Sequence, residues 1–178
     1  LFLFKLGMGK VFIENIAFNM HELIDSVHES MLLQAKKKNL RFDVNVDDDV
    51  PEVVIGDPFR LKQIIMNLVS NAIKFTEKGL VSVGIRTEKI RKQKIALRFE
   101  VKDTGIGILK KDLEKIYDEF SQSDFKTEKS KKGVGLGLTI SKKLVGLLNG
   151  RMSVESELNK GSVFTVIIPF KRSKTGKS

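Results

Sequence analysis

Cysteine and tryptophan are absent from the 178 residues, tyrosine occurs once, and prolines number three. Without a thiol the chain forms no disulfide, no thiolate metal site and no cysteine nucleophile, which fits a reducing, cytoplasmic setting. The lack of Trp leaves few stacking platforms of the kind that single-strand nucleic-acid binders use, although Phe is plentiful. Long apolar runs are missing too. Nothing approaches the roughly 20 residues of a membrane span, and the opening Leu1-Phe2-Leu3-Phe4 is interrupted by Lys5. No direct membrane contact is therefore expected of this chain, whatever anchors a longer parent protein.

What is present is positive charge, 32 Lys and Arg against 22 Asp and Glu, a net +10. Such an excess suggests an anionic partner, whether nucleic acid, a lipid surface or a phosphate-bearing small molecule. Much of it lies in short runs (Lys36–Lys38, Lys89–Lys94, Lys129–Lys132, Lys171–Lys177) rather than on one periodic helix face. Runs of that kind are usually solvated loops, so nucleic acid ranks second to a small phosphate ligand.

Residues 1–15 have no strong period and read as the end of a preceding hairpin or linker. Residues 16–170 read as one domain, and residues 171–178 as a basic tail. From Asn19 to about Lys38, Leu23, Ile24, Val27, Met31 and Ala35 recur at helical spacing. Phe42, Val44 and Val46 then alternate with polar residues, the period of a half-buried strand. Asp57-Pro58 is the best helix start in the chain, an acceptor at the N-cap followed by proline where a missing N–H costs nothing, and predicts a helix to about Phe75. Val81, Val83 and Ile85, then Ile95, Leu97, Phe99 and Val101, predict a hairpin around a basic turn. A further helix is expected from near Gly137 to Asn149-Gly150, followed by strands at 152–157 and 162–168. Helices interleaved with strands that each bury one face imply an α/β two-layer sandwich, a mixed and mostly antiparallel sheet with helices on one face. A doubly wound sheet would need strands apolar on both faces.

Three stretches carry candidate chemistry. On the 57–75 helix, Leu61, Ile64, Ile65, Leu68 and Ala72 form the apolar stripe, while Gln63, Asn67, Ser70, Asn71 and Lys74 share the other side. Two carboxamides one turn apart offer oxygen to a hard cation and Lys74 offers charge to a phosphate. Taken alone they read equally as a solvated face, and Asn15/Asn19 shows the same spacing without a site. Asp103-Thr104-Gly105-Ile106-Gly107-Ile108 follows a strand directly, so a carboxylate at the strand end could accept an exocyclic amine; by itself it is also an ordinary Asp turn. Gly133-Val134-Gly135-Leu136-Gly137-Leu138 opens a helix whose free N–H groups suit phosphate, with Lys131 and Lys132 adjoining. It is neither the dinucleotide fingerprint, which needs a third, wider-spaced glycine, nor a Walker loop.

In this order, the three resemble the ATP-binding catalytic domain of sensor histidine kinases, in the larger superfamily with gyrase, the heat-shock chaperone ATPase and MutL. Asp57-Pro58-x-Arg60-Leu61-x-Gln63-Ile64 through Asn67-Leu-Val-Ser-Asn71-Ala-Ile-Lys74-Phe75-Thr76 is similar to the family's N box. Asp103-x-Gly105-x-Gly107 resembles the first glycine box and Gly133 to Leu138 the second. Phe120 and Gln122 fall at a phenylalanine box, and Lys160-Gly161-Ser162-x-Phe164 resembles the closing strand. The resemblance implies a Bergerat-type fold in which Asn71 reaches Mg²⁺ with help from Asn67, and Lys74 meets the phosphates of ATP. It implies that Asp103 receives the adenine amino group with Ser162 in support, and that Phe75 packs near the base. Gly105, Gly107, Ile108, Phe120, Lys132, Gly133, Gly135, Leu136, Gly137 and Leu138 complete the implied nucleotide site, with 120–135 as a lid.

The chain departs from the pattern at Tyr117 and Asp118, mildly, and at Val134, where a hydroxyl is usual. The phosphate-accepting histidine hairpin is absent; His21 and His28 read as ordinary packing or surface residues. The implied function is a protein-histidine kinase domain that passes the ATP γ-phosphoryl to a histidine on a dimerisation hairpin of the same protein, and thence to a response-regulator receiver domain. A hydrolase of the gyrase type is the rival enzyme, but Asn67 stands where that branch has a glutamate base, so hydrolysis should be slow. A non-catalytic nucleotide-binding regulatory module is the third reading.

Overall fold

The structure is a computed structural model that describes residues 12–113, 116 and 137–173. Its core is a seven-stranded sheet: β1 (Ile16–Asn19), β2 (Arg41–Val46), β3 (Val53–Gly56), β4 (Leu80–Arg91), β5 (Lys94–Asp103), β6 (Arg151–Glu157) and β7 (Gly161–Arg172). The helices are α1 (Met20–Lys37), α2 (Pro58–Phe75) and α3 (Gly137–Leu147), with a short 3₁₀ turn at Lys110–Asp112. The order is β1-β3-β7-β5-β4-β2, with β6 on β7. Among the described residues only the β2–β4 pair is parallel. A mixed, mostly antiparallel sheet under three helices is the expected two-layer architecture.

Strand β7 binds the sheet together. One edge pairs with β5 from Ser162 to Lys171. The other edge is divided, taken by β6 as far as Ile167 and by β3 at Lys171 and Arg172. Here the one-buried-face expectation needs correcting, because Phe164 to Ile168 are buried on both faces. On the face away from the helices Ile167 lies between Arg98 and Arg151. Glu88, at an irregularity in β4, joins both arginines, at 2.7 Å and 3.5 Å. Ile167 is thus buried in register between two arginines that Glu88 holds together. Strands β1 and β3, four residues each, were not expected from the sequence.

Helix α2 forms for the anticipated reasons. The Asp57 Oδ1 accepts from Arg60 N at 2.9 Å and Pro58 sits at the first position. The other oxygen of this buried carboxylate accepts from Glu14 N at 2.9 Å, tying the incoming chain to the helix start. Leu61, Ile64, Ile65, Leu68, Val69, Ala72 and Ile73 are buried, and the helix packs on β4, β5, α1 and α3. Helix α3 ends as expected, with Asn149 at φ +56° and Gly150 N donating to Val145 O.

The phase of α2 is testable by two substitutions two residues apart. Leu61 is fully buried and Phe59 is 68% exposed. Leu61→Ala should cost about 2–5 kcal/mol in a urea melt, and Phe59→Ala no more than about 0.5 kcal/mol. Equal effects would mean the helix is rotated.

Candidate nucleotide site

The site begins where β5 ends. Asp103 is flanked by Val81 of β4 and Ser162 of β7, so the sheet fixes its backbone on both sides. Its carboxylate is buried, and burial pushes its pKa above the ordinary value. Backbone N–H groups of Gly105 (2.8 Å) and Ser162 oppose the rise by donating to the ionised form. A buried carboxylate with only two N–H partners keeps acceptor capacity for a donor from outside.

The first glycine box is there because two backbone approaches leave no room for a side chain. A Cβ on Gly105 would collide with the Phe75 carbonyl oxygen and come within 2.9 Å of Asp103 Oδ1. Gly107 has φ +67° and lies against the Glu157 carbonyl. Ile106 N donates to Phe75 O at 3.2 Å, and Ile108 N to Ser156 Oγ at 2.8 Å. The Ser156 hydroxyl donates to Gly161 O (3.0 Å) and lies 2.8 Å from Ser162 Oγ. The Gly105–Ile108 segment is thus pinned to the end of α2 on one side and to the β6–β7 hairpin on the other.

Helix α2 brings the second group. Asn67, Asn71 and Lys74 are half-buried on the side facing the start of α3. Asn67 Nδ2 donates weakly to Gly137 O (3.5 Å) and Ser141 Oγ (3.4 Å). Asn71 Nδ2 would lie 3.9 Å from a Cβ on Gly137. The Lys74 ammonium rides 5.0 Å above the Phe75 ring. The N box therefore touches the first glycine box at its C-terminal end and the last residues of the second at its side. Gly137 and Leu138 open the described part of α3, and the N–H groups and dipole of a helix start favour an anion. Phe120, Lys132, Gly133, Gly135 and Leu136, with the expected lid, lie outside the described residues.

Sequence reasoning missed Ser156 and Lys38. Ser156 pairs across the hairpin with Ser162, and its signal was available: the two serines stand symmetrically about the turn that contains Asn159-Lys160. Lys38 belongs to a run that reads as solvated, yet its Nζ bonds to carbonyls at the end of α2. Of the two histidines, His21 is exposed and His28 stacks on Phe42 with ring centroids 5.2 Å apart.

Asp103 gives a pH signature. Because its pKa is raised, the folded state holds the proton more tightly than the unfolded chain. The contribution to stability is full below the ordinary carboxylate value and is lost as pH rises through the raised one. Asp103→Asn lacks this titration. Urea melts of both proteins from pH 4 upward should show the variant gaining stability relative to wild type as pH increases; parallel profiles would place the carboxylate in water.

The sequence matches the family of histidine kinase-, DNA gyrase B-, and HSP90-like ATPases over residues 56–172. It is 39% identical over 160 residues to the signal transduction histidine-protein kinase BarA of Escherichia coli K12, covering 90% of this chain and 17% of that protein. With the sensor histidine kinase GacS of Pseudomonas protegens it shares 35% over 170 residues, 96% of this chain and 18% of that one. The chain therefore spans less than a fifth of the length of these relatives. Among solved structures, full-length ShkA in complex with AMPPNP superposes with a TM-score of 0.81 at 30% identity, over 95% of this chain and 34% of that chain. The catalytic domain of the histidine kinase ThkA superposes at 0.67 with 32% identity, over 90% of this chain and 99% of that chain. The buried carboxylate, the glycine turn and the asparagine-bearing helix thus sit in a chain that belongs to the histidine kinase-, DNA gyrase B-, and HSP90-like ATPase family.

Proposed function

We propose that this domain binds Mg²⁺-ATP and donates the γ-phosphoryl to a histidine on a dimerisation hairpin of the same protein, from which it passes to a response-regulator receiver domain. The observation that carries the reading is the buried Asp103 carboxylate, two N–H bonds short of saturation, one helix end away from Asn71. Asp103 accepts the exocyclic amine of adenine, Ser162 supports it with its backbone N–H, and Gly105, Gly107, Ile108 and Phe75 line the base. Lys74 and the N–H groups of Gly137 and Leu138 meet the triphosphate. The AMPPNP bound to ShkA, an ATP analogue on a relative of 30% identity, supports a nucleotide here.

Asn71, assisted by Asn67, is the metal-binding group in this reading. Carboxamide oxygens suit Mg²⁺, which is usually held by one or two protein groups with phosphates and water completing its shell. Among the described residues no cluster of three His, Cys, Asp or Glu competes for a metal. When bound, the ion neutralises charge on the β- and γ-oxygens. In the transfer the lone pair of an imidazole nitrogen forms the N–P bond, the bond from γ-phosphorus to its bridging oxygen breaks, and ADP leaves. The chain's own residues contribute position and charge. Asn67 accepts no proton at neutral pH, so hydrolysis should be slow beside transfer to histidine.

With γ-labelled ATP, the domain alone should take up no label, since neither His21 nor His28 is an acceptor; label should appear on a supplied histidine hairpin. Asn71→Ala should cut that transfer by roughly 10²-fold or more, the scale lost with one preorganised charge-stabilising group. Its melting temperature without nucleotide should hold, because Asn71 lies off the buried stripe. Acid-labile label on the isolated domain, or full transfer by Asn71→Ala, would sink the reading.

A further inference from the structure

The last four carbonyls of a helix have no partner within it, so where each one bonds is an accounting question. At the end of α2 these are Ala72, Ile73, Lys74 and Phe75. Thr76 Oγ1 donates to Ala72 O at 2.7 Å. Lys38 Nζ donates to Ile73 O at 2.7 Å and Lys74 O at 3.1 Å, and its third proton goes to Thr76 O at 2.7 Å. Ile106 N donates to Phe75 O at 3.2 Å. The account closes: a lysine 35 residues before Ile73 takes the middle two carbonyls and the glycine box takes the last.

The base of that lysine is itself held. Lys38 caps α1, with its N–H donating to Ala35 O at 3.1 Å. Asn39 follows at φ +53° and Leu40 N returns to Ala35 O at 3.0 Å, which buries Leu40. All three ammonium protons are used, and no carboxylate lies within ion-pair distance of Lys38 among the described residues. A positive charge at a helix C-terminus also complements the dipole.

We propose that Lys38 is a positioning residue for the nucleotide site, acting through the last turn of α2. That turn carries Asn71, Lys74 and Phe75, and the Phe75 carbonyl is the surface on which Gly105 and Ile106 rest. Removing Lys38 takes the donor from three carbonyls, Ile73, Lys74 and Thr76, loosens the turn, and with it the register between Phe75 O and the segment after Asp103. The inference rests on the nucleotide reading above.

The test is ATP affinity by calorimetry, at a temperature where far-UV circular dichroism shows every variant folded. Lys38→Met keeps the stem and removes the donors; Leu23→Ala, on the buried stripe of α1, is a control for lost stability alone. Lys38→Met should weaken ATP roughly tenfold, the lower end of what an orienting outer group contributes, and should speed amide exchange at Ile106. Lys38→Arg, which keeps charge and donors, should recover most of the affinity. Leu23→Ala should lower the melting temperature while leaving affinity and Ile106 exchange unchanged. Wild-type affinity in Lys38→Met, or an equal loss in Leu23→Ala, would make Lys38 a cap for stability only. If wild type itself does not bind ATP, the nucleotide reading fails first and this inference with it.

Discussion

The orientation of α2 is the constraint on which the rest depends. Its stripe from Leu61 to Ile73 is buried against the sheet and the neighbouring helices, and the burial fixes rotation about the helix axis. A slip of one residue turns a helix by about 100° and would bury Asn67 or Asn71 without partners. Held as it is, the helix presents both asparagines to the start of α3 and its C-terminal carbonyl to Gly105. Packing that would be generic in any α/β sandwich thereby sets the distances between three chemically unrelated groups.

Asp103 is the cost this arrangement accepts. Burying a carboxylate disfavours its charged form, and two backbone N–H bonds compensate only in part. A site tuned for stability would use a neutral residue here. A site tuned to distinguish one base from another keeps a group whose unmet acceptor capacity penalises a ligand that leaves it unpaired. The neighbouring strands supply the rigidity this requires, since Asp103 is paired through β4 and β7 on both sides.

Much of this was legible because local chemistry and tertiary placement agree. Asp57-Pro58 starts α2 by the hydrogen bond its residue types suggest, and the alternation of β4 and β5 matches their buried sides. Strands β1 and β3 were not legible: four residues such as Ile16–Asn19 carry no period, and what makes them strands is pairing with each other and with the end of β7. The double burial of β7 was hidden because it depends on which strands flank it, β5 on one edge and β6 on the other. Asp103, Gly105, Asn67 and Asn71 stand in short motifs that are weak singly and were singled out because together they resemble one family's pattern. Lys38 was not, because a lysine in a basic run looks solvated until a helix end 35 residues away arrives beside it. Ser156 was readable from the two expected last strands, since pairing them about Asn159-Lys160 sets it opposite Ser162, and it was overlooked.

Base discrimination is the property that most directly exposes the account, because only a nucleotide held by its base against Asp103 would show it. Titration of the wild-type domain with Mg²⁺-ATP and with Mg²⁺-GTP compares ligands that share a triphosphate and differ at the base edge that the proposed function sets against the carboxylate. Guanine presents a carbonyl where adenine presents an amine, so the buried acceptor would meet another acceptor. A loss of about 1–3 kcal/mol for an unpaired buried group predicts that GTP binds at least several-fold, and up to roughly 10²-fold, more weakly. Equal affinity for the two nucleotides would mean that the base is not read at Asp103, and would contradict the account at its root.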